Sequence, residues 1–336
     1  MPSAFQIQIR QGLTLIALSL TCAGCVTLPT NPASQAKSLV PTRYKLETGP
    51  YTVYTNSPLS KNSPEVQQLI KLEDQLQNTL DLKIADQQDP IEIYILDDRA
   101  SFNHFLTFYY SELPPRRAFF FAQGNRRVVY TFHGKSLEQD LRHEATHALL
   151  HASVINLPLW LDEGLAEYFE VEDKLEGLNP EHLGKLRSDV KTGWQPDLAR
   201  LETLDDVRQM GPRDYREAWA WSHYFLESSA DNKRILLGYL HDLSRGEAAK
   251  PLSTRLGEPD EQNQAIVSHI TQSREVMTAH SRSLRHETLR FQDEAVITAS
   301  ATTEPVSPRP LESAPRGPFR LTARFFQRLM APLRSR

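Results

Sequence analysis

Residues 142–151 read RHEATHALLH, and the two histidines at the start of this stretch, His143 and His147, are four positions apart. In an α-helix, side chains at i and i+4 project from the same face, one turn apart. Two imidazoles at that separation can bind one metal ion. Glu144 lies beside the first histidine, where a carboxylate can accept a proton from a water molecule at the metal. The spacing is typical of H-E-x-x-H metalloproteases, although an ordinary exposed helix face can carry the same letters.

A third ligand decides between these interpretations, because an open catalytic zinc site normally has three protein ligands. The metzincin class needs a glycine at position 150 and a histidine at position 153, but the chain has Leu150 and Ser153 there. His151 lies on the next turn, but three successive turns of a straight helix cannot converge on one ion. We expect His151 to face solvent or to lie outside the ligand shell, so the third ligand must come from another segment.

The segment that follows is LPLWLDEGLAEYFE, residues 157–170. HEATH together with WLDEGLAEY resembles the gluzincins, zinc peptidases that include thermolysin and related aminopeptidases. The resemblance is closest to the bacterial peptidase-MA-like proteins, many of which are lipoproteins, and it covers roughly residues 50–230. It implies a Zn2+ cofactor bound by His143, His147 and Glu163, with Glu144 as the general base in the hydrolysis of a peptide or protein substrate.

Glu167 is an alternative third ligand. The gap from His147 to Glu163 is shorter than in thermolysin-type chains, and Glu167 lies nearer the thermolysin spacing. Because Glu163 and Glu167 are four apart on one helix face, either could reach the ion. We favour Glu163, since the sequence around a ligand is more informative than the length of a loop before it.

The resemblance also suggests how the substrate is held. Related gluzincins stabilise the oxyanion with a Tyr or His from the helical half, and Tyr215 is the preferred candidate here, ahead of His223 and Tyr224. By the same analogy, VVYTF at residues 128–132 is expected to be an edge strand along which the substrate lies extended.

Two neighbouring arginines, Arg116 and Arg117, precede the first strand of the expected hairpin. They could bind a substrate carboxylate, or they could simply be solvated.

Around the motif, periodicity predicts an α+β fold, with a small mixed sheet and helices followed by a mostly helical subdomain. Gly124 and Asn125 separate two β-type segments and predict a hairpin. SLEQ at residues 136–139 fits a capping box at the start of the motif helix. In chain order we predict a strand at 51–56, a helix ending at residue 80, a strand at 91–96, a short helix, the hairpin AFFFAQ and RRVVYTF, and helices from 136, near 162, at 214–228, at 231–244 and at 259–285.

The start of the chain is typical of a secreted protein. Both cysteines lie in the first thirty residues, after the apolar run GLTLIALSLT. AGC at 23–25 resembles a bacterial lipobox, which predicts lipidation of Cys25, although an ordinary secretory signal stays open. We therefore expect a bacterial cell-envelope protein outside the cytoplasm, attached to a membrane through the lipid on Cys25.

The predicted organisation has five parts. They are a signal peptide at 1–25, a tether at 26–49, a zincin-like domain at 50–250 with an α/β part at 50–135 and an active-site and helical part at 136–250, a helical extension at 251–286, and a disordered basic tail at 287–336.

The composition gives no reason to expect a nucleic-acid partner, and it excludes few other functions. The 336 residues carry a formal net charge of -4, with 24% charged residues, and this balance lacks the basic excess of nucleic-acid-binding domains. The sequence thus favours a zinc peptidase. Two alternatives remain, a non-catalytic zinc-binding envelope scaffold and a zinc hydrolase of a non-peptide amide.

Overall fold

The computed structural model describes residues 39–83, 89–111, 113 and 115–273. The chain divides into two units, Met1–Lys37 and Ser38–Arg336, and all described residues belong to the second. The predicted signal peptide with Cys25, the first part of the tether, the end of the helical extension and the basic tail lie outside the described residues. No described helix combines the length and the apolar character needed to cross a membrane.

A five-stranded mixed sheet forms the first half of the fold. Its strands are β1 Tyr44–Thr48, β2 Tyr51–Thr55, β3 Ile91–Leu96, β4 Phe119–Gln123 and β5 Arg126–Phe132. The spatial order is β1-β2-β3-β5-β4, with β1/β2 and β4/β5 antiparallel and the two inner pairings parallel. This confirms an α+β protein with a small mixed sheet.

Two details of the sheet differ from the sequence expectation. Residues 44–48 were assigned to the tether, but they form β1, an edge strand whose mixed YKLET sequence is only half-buried. The VVYTF segment lies in β5, which is hydrogen-bonded to β3 on one side and to β4 on the other. It therefore has no free edge, and the edge strand beside it is β4. The hairpin itself is confirmed, with Gly124 at φ 59° in its two-residue turn.

Nine helices are described. They are α1 Pro64–Leu80, α2 Arg99–Tyr109, α3 Leu137–Ser153, α4 Leu159–Phe169, α5 Pro180–Lys191, α6 Leu198–Leu201, α7 Pro212–Glu227, α8 Ala230–Ser244 and α9 Pro259–Gln272. The sequence anticipated most of them but missed α5 and α6, and it placed the start of α4 three residues late. The mostly helical second half is thus as expected.

Both faces of the sheet are covered, so β3 is apolar except for Glu92, which pairs with Arg126, and the hydroxyl of Tyr94. Because side chains alternate along a strand, Ile91, Ile93 and Ile95 enter the larger core with α1, α3 and the helical half. Tyr94 and Leu96 face a smaller, mostly aromatic core beneath α2. The larger core is continuous from the sheet into the helices, which fixes the helical half on the sheet.

Helix α4 packs between α3 and α7, and Gly164 sets how closely it approaches α7. A Cβ atom at this position would lie 2.4 Å from the carbonyl oxygen of Ala218 and 2.4 Å from Ser222 Oγ. Both distances are far below van der Waals contact, and the first neighbour is backbone. Only glycine permits this separation of the two helices.

Replacing Gly164 with alanine is therefore expected to destabilise the fold by about 1–3 kcal/mol through overpacking, despite the higher helix propensity of alanine. Gly184 in α5 is a matched control, because a Cβ atom there meets nothing within 4 Å. Gly184→Ala should stabilise the fold by about 0.5–1 kcal/mol. Urea unfolding of both variants measures the difference, and equal effects would show that the α4–α7 contact is not tight.

Candidate metal centre

The motif helix α3 begins at Leu137, directly after Ser136 as predicted. The expected capping box is wrong, because the Ser136 side chain makes no capping hydrogen bond. The Gln139 side chain instead donates to Glu170 Oε1 at 2.8 Å. The sequence predicted the correct start of the helix but the wrong partner for Gln139. The actual partner, Glu170, directly follows α4 and is 31 residues away in sequence.

His143, His147 and Glu163 lie together, and each offers one ligand atom toward the same point. His143 Nε2 and His147 Nε2 are 3.3 Å apart. Glu163 Oε2 lies 3.8 Å from the first and 3.7 Å from the second. The point equidistant from the three atoms is about 2.1 Å from each, within the range of metal bonds to imidazole nitrogen and carboxylate oxygen. These residues could hold a metal ion.

The alternative ligand Glu167 points elsewhere. It lies one turn beyond Glu163 on α4, and its Oε2 is 2.7 Å from Nε2 of His182 on α5. Glu167 shares a second potential metal group with His143 and Glu170, but His147 does not belong to that group. Of the two glutamates, it is Glu163 that meets both motif histidines.

Carboxylates behind the histidines fix the orientation of both rings. Glu170 Oε2 lies 3.0 Å from His143 Nδ1, and Asp162 Oδ1 lies 2.8 Å from His147 Nδ1. A carboxylate at Nδ1 accepts a hydrogen bond from Nδ1–H, which keeps the proton on that nitrogen and leaves the lone pair of Nε2 for a metal. The other oxygen of Asp162 is 2.8 Å from His151 Nε2, so His151 lies outside the ligand group, as expected.

The carboxylates around His143 and His147 favour positive charge on the two rings. Burial by itself lowers the pKa of His143, but its hydrogen bond with Glu170 and the charge of Glu144 outweigh burial and raise the pKa to about 10. Burial likewise lowers the pKa of His147, and Asp162 reverses the effect and raises it to about 9. Without a metal the carboxylates stabilise protons on the rings, and a divalent cation can replace those protons.

Glu144 is half-buried on α3 next to His143. In the described part of the chain its carboxylate has no hydrogen bond and no ion pair. Every other carboxylate named above has such a partner. Glu144 is therefore free to accept a proton from a bound molecule.

The three candidates for the oxyanion donor, Tyr215, His223 and Tyr224, have different surroundings. His223 Nδ1 lies 2.8 Å from Nε2 of His269 on α9, and the ring of Tyr224 also contacts His269. Both side chains thus belong to the α7–α9 packing. Tyr215 lies in the first turn of α7; burial raises its pKa, and the charge of Glu163 raises it further. Its hydroxyl therefore stays protonated near the metal group and can donate a hydrogen bond.

Sequence reasoning missed two residues that hold the site together. Glu170 extends the stripe of Glu163 and Glu167 to i+7, and this spacing could have revealed it. Arg142 is 2% exposed; its Nε donates to the Phe169 carbonyl at 2.8 Å and its Nη2 to Gln75 Oε1 at 2.6 Å. Arg142 thus joins α3 to the end of α4 and to α1, and no local pattern indicated this role.

Comparison of the chain with protein-family models gave no match, and comparison with curated proteins gave none either. The gluzincin resemblance therefore depends on the motif residues, which the fold brings together as described above.

Glu163→Gln and Glu167→Gln are matched variants that test the third ligand. Glu163→Gln is expected to weaken the binding of added Zn2+ by more than about 100-fold, because it removes a ligand. Residues that only support the ligands contribute at most about 100-fold. Glu167→Gln should change it by less than about tenfold. Competition against a chelator of known affinity measures both. A larger loss in Glu167→Gln would reassign the third ligand to Glu167.

Proposed function

We propose that this protein is a zinc-dependent peptidase of the gluzincin type. The observation that carries the proposal is the meeting of two imidazole nitrogens and one carboxylate oxygen at a single point, beside the unpartnered carboxylate of Glu144. Nitrogen and oxygen donors in a set of three fit zinc and leave a fourth position open.

The residues of the chain have separate roles in this proposal. His143, His147 and Glu163 would hold the zinc, which when bound polarises a carbonyl oxygen and lowers the pKa of a water molecule. Glu144 accepts a proton from the attacking water and passes it to the leaving amine. The Tyr215 hydroxyl donates a hydrogen bond to the carbonyl oxygen as negative charge develops on it.

The edge strand β4 is the proposed support for the substrate. Its outer side is not paired with any described strand, and an extended peptide could add to the sheet at such an edge. Phe120 on β4 stacks on the ring of His147, with centroids 6.2 Å apart. A peptide along β4 would thus pass beside the metal group, in the role first expected for VVYTF.

Glu144 also favours catalysis over a scaffold role. A structural zinc site needs only the ligands, and it does not require a further half-buried carboxylate without a hydrogen-bond partner. A non-peptide amide substrate would use the same residues, so the substrate panel must contain both kinds of amide.

Glu144→Gln is expected to retain zinc and the fold while lowering the hydrolysis of casein and of a peptide library by at least about 100-fold, since it removes the general base. Zinc content and circular dichroism are measured on the same samples as the activity. A wild-type protein that binds zinc but hydrolyses neither peptides nor small amides would favour the scaffold interpretation.

Tyr215→Phe removes the proposed oxyanion donor. We expect kcat to fall by about 100-fold with little change in KM, because the hydrogen bond strengthens only as charge develops. Tyr224→Phe, on the same helix but packed against α9, is the control and should retain wild-type kcat. Equal kcat in the two variants would remove Tyr215 from the mechanism.

The proposed location is the bacterial cell envelope, with attachment through a lipid on Cys25. This follows from the AGC sequence at 23–25, where lipid chains would supply the anchoring free energy. Detergent phase partitioning tests it. Wild-type protein should enter the detergent phase and Cys25→Ser the aqueous phase, and the same phase for both would contradict lipidation.

A further inference from the structure

Arg116 and Arg117 are adjacent in sequence but differ in their surroundings. Arg117 Nη2 forms a salt bridge of 2.7 Å with Asp140 Oδ1. Arg116 is half-buried, and its Nε is inaccessible to water without a hydrogen-bond partner. Within the described part of the chain, its guanidinium has no ion pair either.

An arrangement of this kind is unfavourable unless a ligand completes it. A guanidinium does not lose its proton in proteins, so Arg116 cannot escape the desolvation of its charge by becoming neutral. Burying a charged donor without a partner costs free energy, and such exceptions to hydrogen-bond satisfaction are concentrated at functional sites. An anion would supply both the hydrogen-bond acceptor and the opposite charge that Arg116 lacks.

Arg116 lies beside the three residues that could hold a metal ion, His143, His147 and Glu163. Arg117 ties this segment to Asp140, which lies one turn before His143 and Glu144 on α3. Four residues after Arg116, Phe120 stacks on His147. Tyr215 lies close enough for the charge of Arg116 to oppose the rise in its pKa that burial and Glu163 cause.

We propose that Arg116 forms a subsite for a carboxylate of the peptide substrate, which it binds through two parallel hydrogen bonds from the two Nη groups of its planar guanidinium, since its Nε is inaccessible. This rests on the proposed peptidase function and adds a substrate class to it, peptides that carry a carboxylate near the cleaved bond. That carboxylate is either the free C-terminus or the side chain of an aspartate or glutamate.

The chemistry of the surroundings favours a carboxylate over a phosphate. One arginine matches the single charge and the planar geometry of a carboxylate, whereas phosphate groups are usually bound by clusters of arginines. Glu163, Glu167 and Asp214 also place negative charge close to Tyr215, which lies near Arg116, and this disfavours a dianion. Asp214 is itself paired with Arg200 at 2.8 Å, so it does not neutralise Arg116.

The test uses short N-acetylated peptides in three forms, as the free acid, as the C-terminal amide, and as the amide with one internal glutamate. Wild-type protein should hydrolyse one of the two carboxylate forms with a kcat/KM about 10- to 100-fold above that of the neutral amide, the range of a hydrogen bond between charged groups. The preferred form identifies the source of the carboxylate. Arg116→Gln should abolish the preference.

Arg117→Gln is the matched control and should retain the preference, because Arg117 is already paired with Asp140. The ratio of kcat/KM between two peptides is independent of the fraction of folded protein, so a loss of stability does not imitate the result. Equal rates for all three forms in the wild type, or a preference that persists in Arg116→Gln, would overturn the subsite.

A binding measurement separates this proposal from the peptidase function. Zinc-loaded Glu144→Gln is titrated calorimetrically with the same peptides, with and without Arg116→Gln. Carboxylate-dependent binding that requires Arg116, without any wild-type hydrolysis, would support the subsite and contradict the peptidase. Hydrolysis without carboxylate preference would contradict the subsite alone, and neither hydrolysis nor binding would contradict both.

Discussion

The close contact between α4 and α7 at Gly164 is the constraint on which the candidate site depends. Because no side chain separates the two backbones there, α7 holds α4 firmly on one side while α3 packs on the other. Glu163 is the preceding residue, about 100° around the helix axis, so the position of Gly164 against α7 also directs Glu163 toward α3. The Glu-Gly pair thus combines an oxygen that could hold a metal ion with the packing that positions it.

Helices α3 and α4 are joined by reciprocal contacts at successive residues. Arg142 on α3 donates to the carbonyl of Phe169 at the end of α4, and the next residue, Glu170, bonds back to His143 on α3. A helix end normally has unsatisfied carbonyls, and here a buried guanidinium satisfies one of them. The same hydrogen bond fixes the backbone next to Glu170. The orientation of the His143 ring therefore depends on Arg142, which does not belong to the residues that could hold a metal ion.

The parts of the site that could be predicted from sequence are those set within a single helix. The spacing of His143 and His147 follows from helix geometry, and the hairpin turn follows from Gly124. The resemblance added Glu163, and the structure brings it to both histidines. Glu170 lies 27 residues from His143, and their contact depends on how two helices pack, which no local pattern encodes.

The two errors in the sheet have different origins. β1 is a short edge strand whose residues alternate between half-buried and exposed, and the alternation in YKLET is a strand signal that could have separated it from the tether. Whether a strand lies at an edge depends on the spatial order β1-β2-β3-β5-β4, which brings β5 between β3 and β4 although β4 precedes it in sequence. The hydrophobicity of VVYTF indicated burial correctly, but burial on both faces also favours an inner strand.

Some polar groups around His143, His147 and Glu163 have hydrogen-bond partners within the protein, and others have none. Asp162, Glu167 and Glu170 each have partners within the protein. Among the described residues near the centre, the acceptor Glu144 and the donors Tyr215 and Arg116 have no partner. Nδ1 of His182, whose other ring nitrogen contacts Glu167, has none either. In the proposed function, a water molecule would donate to Glu144, a carbonyl oxygen would accept from Tyr215, and a carboxylate would accept from Arg116. The water and the two substrate groups would together match the hydrolysis of a peptide that carries a negative charge, whereas a metal ion alone would satisfy none of the three residues. The unpaired groups therefore argue for a bound organic substrate at this centre.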